Sequence, residues 1–171
     1  MAACPDACEW HEGRRVKLYL AGPDVFRPDA IGWAGRVREL GRAAGHEVLI
    51  PLDDEVPATA VAIYRSNLQC IAEADAVLAN LNPFRGNEPD SGTCVEIGYA
   101  LALGKIVIGY ADDLRPLRER LRATGPGADG RYRDAAGHAV EDFGLPLNLM
   151  LAVPLPLVQG GVAAALQALQ D

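Results

Sequence analysis

Four short apolar runs, residues 16–20, 47–51, 76–80 and 106–110, alternate along this chain with longer segments of helical spacing. Gly, Pro and Asp flank several of them, which suits strands bounded by turns and buried on both faces. Strands of this kind separated by helices predict an α/β fold: one parallel sheet of about five strands, covered on both faces by helices. In such a sheet the loops leaving the strands gather at the carboxyl edge, and ligands bind there. Tyr19, Asp24, Asn80, Asn82 and Asp90 fall on or near that edge.

Between the strands, Asp29 is placed to cap a helix running to about Gly45, with Ile31, Val37 and Leu40 inward. Further helices are expected over 58–72, from Asp90 to about Gly104, and over 158–169. Residues 123–137 are rich in Gly and charge and read as a mobile loop. Residues 1–15 read as a polar leader, so the domain is 16–171. The chain has 171 residues, half of them apolar, enough for one domain with a substantial core. Its formal net charge is −7, and no basic block is present, so a nucleic acid polymer or an anionic membrane is disfavoured as partner. No apolar run is long enough to span a bilayer. Cys70 and Cys94 read as small core residues. Cys4, Cys8 and His11 have a metal-like spacing without an obvious fourth ligand, so no metal is expected. The expected compartment is the cytoplasm.

The junction Asp90-Ser-Gly-Thr-Cys-Val-Glu96-Ile-Gly-Tyr-Ala-Leu-Ala-Leu-Gly104-Lys carries the chemistry. A polar loop becomes an apolar helix there, with two carboxylates built in. Near the helix N-terminus Glu96 is expected to stay ionised, as a nucleophile or base facing a small ligand. Asp75 and Asp90 are expected to share its cleft. No G-x-x-x-x-G-K-[ST] and no G-x-G-x-x-G follows the first strand, so phosphate-loop and dinucleotide chemistry are disfavoured. His46 and His138 lack partners at metal or triad spacing.

Four segments in order resemble the nucleoside 2-deoxyribosyltransferase family. They are Leu18-Tyr-Leu-Ala-Gly-Pro-Asp-Val-Phe26, Ala74-Asp-Ala-Val-Leu-Ala-Asn80, the Asp90–Lys105 junction, and Phe143-Gly-Leu-Pro-Leu-Asn-Leu-Met150. The resemblance implies a flavodoxin-like fold and double displacement at a deoxyribose. Glu96 would attack C1′, giving a covalent deoxyribosyl-enzyme and overall retention. Tyr19 would orient the Glu96 carboxylate, and Asp75 would exchange a proton with the nucleobase. Asp90 would bind the sugar hydroxyls, with Gly22, Phe26 and Met150 as further substrate contacts. Phe26 and Trp33 are candidates to stack on the base. Asn148 would reach a neighbouring subunit's pocket, in a dimer-based, tetrameric or hexameric homo-oligomer. The substrates would be a deoxynucleoside and a free nucleobase, in nucleotide salvage, without a cofactor.

Three rivals remain. A hydrolase of nucleoside 5′-monophosphates from the same superfamily typically places Ser where this chain has Asp90, and a carboxylate repels a phosphate. A lysine-decarboxylase-like phosphoribohydrolase shares only Gly92-Thr-x-x-Glu96. A non-catalytic nucleoside sensor would not need Tyr19, Asp75 and Glu96 together.

Overall fold

The computed structural model describes residues 15–52 and 59–170. Strand β1 (Lys17–Ala21) leads through a 3₁₀ turn (Pro23–Phe26) into α1 (Ala30–Ala43), then β2 (Glu47–Leu49), α2 (Ala60–Glu73) and β3 (Ala76–Asn80). Next come α3 (Ser91–Ala102), β4 (Ile106–Ala111) and the short α4 (Leu117–Arg120). A hairpin of β5 (Tyr132–Arg133) and β6 (Ala139–Val140) follows, then α5 (Leu149–Ala152), β7 (Leu157–Gln159) and α6 (Val162–Ala168).

Five strands form one parallel sheet in the order β2-β1-β3-β4-β7, with β5 and β6 paired apart from it. This is the flavodoxin-like order, with its topological switch between β1 and β3. Side chains alternate along each strand, and the sheet therefore has two cores. Leu18, Leu20, Leu78 and Ile108 pack under α1 and α6 with Val37, Ala165 and Leu166. Tyr19, Val77, Ala79 and Val107 pack on the other face under α2 and α3 with Ile71, Ile97 and Ala100. Every residue of β3 is buried, as expected of a central strand covered twice.

Several expectations change. The fifth strand, β7, occupies the start of the helix expected over 158–169, and α6 begins only at Val162. Val158 is β-branched and pairs with Tyr110, so tertiary pairing overrides the helical reading. Ile31 is 85% exposed and Leu40 is 44% exposed, whereas Val37 is buried. Asp29 makes no cap bond; its carboxylate accepts from Arg27 Nε (2.9 Å) and Arg36 (2.8 Å) instead. The stretch 123–137 is turns and coil apart from β5 and one bridge, and it carries contacts of its own. Thr124 and Arg133 bridge, Arg133 chelates the Asp129 carboxylate, and the Arg118 guanidinium lies 5.1 Å from the Tyr132 ring centre. Cys4, Cys8, His11 and the Asp53-Asp54 loop lie outside the described residues. Among the described residues no helix is long and apolar enough to cross a membrane, and no group of three or more His, Cys, Asp or Glu is arranged to hold a metal ion.

Candidate active site

Residue Glu96 sits in the second turn of α3, on the flank facing α2. Asp90 is the N-cap of that helix, accepting from Thr93 N at 3.1 Å through Oδ2. Counting from that cap, Glu96 lies beyond the first turn, where the dipole and free N–H groups act. Here the structure corrects the sequence argument. Burial pushes the Glu96 carboxyl up to about 7, against hydrogen bonds from Tyr19 and Asn67 that favour the charged form, and the nearby Asp90 charge adds to the rise. Glu96 is thus divided between its two forms at neutral pH rather than locked as a carboxylate.

Two donors converge on one oxygen. Tyr19 Oη donates to Glu96 Oε1 at 2.7 Å, and Asn67 Nδ2 donates to the same oxygen at 3.3 Å. Tyr19 is fully buried in β1, on the α2–α3 face of the sheet, so its ring cannot swing away. Asn67 comes from the interior of α2, whose N-terminus is capped by Thr59 Oγ1 on Ala62 N (3.2 Å). At the other end of α2, Lys105 Nζ donates to the carbonyls of Ala72 (2.8 Å) and Ala74 (2.7 Å), tying the end of α3 to the end of α2. This clamp fixes the two helices that carry Asn67 and Glu96. Sequence reasoning missed Asn67. Its signal was an Asn inside a helix, where the residue is a poor former and needs another reason to be present.

The sheet edge beside this group is a polar lattice. Asn80 at the end of β3 donates to Asp24 Oδ2 at 2.7 Å and accepts from Asn82 N and Nδ2 at 3.1 and 2.9 Å. Asn82 in turn accepts from Asp112 N at 2.9 Å. Gly22 is required by this packing: a Cβ there would stand 2.8 Å from Asn80 Cβ. Beyond it, Phe26 stacks on Phe84 with ring centres 5.5 Å apart, and the Arg85 guanidinium lies 5.0 and 4.7 Å from the two centres. Phe26 is 58% exposed, so part of it is open to a ligand. Trp33 packs instead against the α1-side core.

Asp75 is not brought to Glu96. It precedes β3 and so stands at the amino edge of the sheet, where its carboxylate accepts from Lys17 N at 2.7 Å and its own N–H donates to Lys17 O at 2.8 Å. These bonds splice β3 to β1 at the edge opposite the site. Asn148 lies across α3 from Glu96. It caps α5 through Met150 N (3.0 Å) and donates to Glu141 at 2.8 Å, and Met150 is 72% exposed. A separate cleft of about 780 Å³ runs between this region, the β5–β6 hairpin and the Cys94–Leu101 flank of α3. At about 100° per residue that flank faces away from Glu96.

The chain is similar to known proteins in sequence and in fold. The profile of the nucleoside 2-deoxyribosyltransferase family matches residues 18–150. An uncharacterized protein of Schizosaccharomyces pombe is 33% identical over 155 residues, covering 78% of this chain and 74% of that protein. The structure of a 2-deoxyribosyltransferase from Leishmania mexicana is similar with a TM-score of 0.76 at 38% identity, covering 91% of this chain and 97% of that one. A 2-deoxyribosyltransferase from Bacillus psychrosaccharolyticus matches with a TM-score of 0.45 at 24% identity, over 55% of this chain and 71% of that one.

Proposed function

Because the chain belongs to the nucleoside 2-deoxyribosyltransferase family, we propose that it moves 2-deoxyribose between nucleobases through an ester on Glu96. The observation that carries this reading is the pair of donors on Glu96 Oε1, which leaves Oε2 as the attacking atom. In the first step an Oε2 electron pair forms a bond to C1′, the C1′–N bond breaks, and its electrons leave with the base. The departing base takes a proton from water; in the second step a ring nitrogen of an incoming base forms the new C1′–N bond, its N–H proton passes to water, and Glu96 is released as carboxylate. Two inversions give retention. Tyr19 and Asn67 are positioning residues: they hold the carboxylate and stabilise the charge that returns to it in the second step.

Asp75 has no part in this scheme, because its side chain is committed at the other edge of the sheet. Asp90 remains the sugar-side carboxylate, accepting from the 5′-hydroxyl. The α3 cap supports a nucleoside over a 5′-monophosphate. A helix N-terminus would offer a phosphate its free N–H groups, but Asp90 Oδ2 already accepts from Thr93 N. The exposed ring of Phe26, backed by the half-buried Phe84, is the base-stacking surface. Asn148 and Met150 serve a neighbouring copy's pocket in a homo-oligomer, and the enzyme works in cytoplasmic salvage.

The test is to mix the protein with 2′-deoxyinosine alone, quench in acid and measure the intact mass. A gain of one deoxyribosyl group, located on the Glu96 peptide and missing in Glu96→Ala, is expected. Base exchange proceeding in a protein that never acquires this adduct would overturn the covalent scheme.

A further inference from the structure

The scheme above leaves Arg85 without a role. Its guanidinium carbon lies 5.0 Å from the ring centre of Phe26 and 4.7 Å from that of Phe84. The side chain is exposed, and among the described residues it has no hydrogen-bond or carboxylate partner. Arg27, at the end of the same turn as Phe26, is by contrast tied to Asp29 at 2.9 Å. Arg85 also has a backbone φ of +54°, the left-handed region that a residue with a Cβ enters at a cost. Two bonds hold the loop over 82–90 in that shape: Phe84 N donates to Glu88 O at 3.0 Å, and Arg120 Nη2 donates to Asn87 O at 3.2 Å. Glycine would take that conformation without cost, so the reason for an arginine lies in its side chain. Stacking on the rings uses the face of the guanidinium and leaves its in-plane N–H groups open.

We propose that Arg85 reads the base, and that the base it selects is an oxopurine such as hypoxanthine or guanine. The proposal rests on Phe26 being the ring on which the base stacks. A planar fork of N–H donors matches two acceptors side by side, and O6 and N7 of an oxopurine are such a pair. Adenine sets N7 beside an amino group, so donor faces donor, and thymine sets O4 beside a methyl group. The contacts of Arg85 are with the rings that stack the base, which assigns it to the base rather than to the sugar.

The test is an internal competition. The protein is given 2′-deoxyguanosine as donor with equal concentrations of hypoxanthine and adenine, and the initial rates of 2′-deoxyinosine and 2′-deoxyadenosine formation are compared. The wild type is expected to make 2′-deoxyinosine about tenfold to a hundredfold faster. Arg85→Ala should bring the two rates close together by slowing 2′-deoxyinosine alone. Arg85→Gln, whose amide pairs with N6 and N7 of adenine, should turn the preference towards 2′-deoxyadenosine. A wild-type ratio near one, a ratio that Arg85→Ala leaves unchanged, or an equal loss of both products in that variant would overturn the proposal. So would a faster reaction with 2′-deoxyguanosine 5′-monophosphate that Arg85→Ala abolishes, since the guanidinium would then belong to a phosphate. If the wild type exchanges no base, the transfer reading fails by itself, and the preference is read from calorimetric binding of the two free bases. Tighter binding of hypoxanthine that Arg85→Ala removes would still support base reading, whereas equal affinities or no binding would overturn it.

Discussion

At neutral pH the Glu96 carboxyl is shared between charged and neutral forms, because burial outweighs the two hydrogen bonds that favour the anion. In the proposed scheme only the anion attacks C1′, so kcat/KM should rise with pH and level off above about 7. A pH–rate profile of the wild type checks this. Tyr19→Phe removes the larger of the two hydrogen-bond contributions favouring the charged form. Its rising limb should move to higher pH, and its rate at pH 7 should fall by roughly tenfold to a hundredfold. An unshifted limb would show that the hydroxyl does not act on Glu96. The same group carries a stability prediction. Its folded pKa lies above the ordinary value of 4.5, so the folded state loses stability as pH rises from about 4.5 to about 7. Glu96→Gln keeps acceptors for Tyr19 and Asn67 but cannot ionise. It should abolish turnover while raising stability at pH 8 by on the order of 2–3 kcal/mol, read by chemical denaturation. Glu96 stood out in the sequence because an acid flanked by Val95 and Ile97 asks for a reason, whereas the place of Tyr19 beside it came from the family resemblance. The ionisation state was not legible, since it depends on how much water the fold removes.

Among the elements, strand direction decides which residues can meet. In a parallel sheet the residue before a strand and the residue after it lie at opposite edges, which puts Asp75 and Asn80 at the two ends of β3. That rule was available from the sequence and excludes Asp75 from the Glu96 site. Asn67 was harder, because a half-buried polar residue in α2 reveals its partner only once α2 and α3 are packed. The strand β7 was hidden by its Ala- and Gln-rich sequel, which reads as continuous helix. Close packing of the sheet gives a direct test. A Cβ on Gly109 in β4 would come within 2.4 Å of Leu81 Cδ1 and 2.7 Å of Leu157 Cδ2. Gly109→Ala should therefore cost about 1–3 kcal/mol and lower Tm. Gly98→Ala on the open side of α3 meets nothing within 4 Å and should be neutral or stabilising by up to about 1 kcal/mol. Equal melting temperatures for the two variants would contradict this packing.

On the scale of the whole molecule, the residues the family resemblance pointed to lie on two sides of α3. Glu96, Tyr19 and Asn67 meet on the side of α3 that faces α2, and Asn148 with the exposed Met150 and Val153 stands on the far flank. If Asn148 serves another copy's Glu96, the sites are shared between protomers. Mixing inactive Glu96→Ala with inactive Asn148→Ala, both folded by circular dichroism, should then restore part of the activity. No recovery after subunit exchange would confine each site to one chain. The central claim, transfer between bases, is tested most directly by chromatography of the protein incubated with 2′-deoxyinosine, with and without free adenine. The account predicts 2′-deoxyadenosine only when adenine is present. Release of hypoxanthine in both mixtures, with no 2′-deoxyadenosine, would contradict it and make the protein a hydrolase.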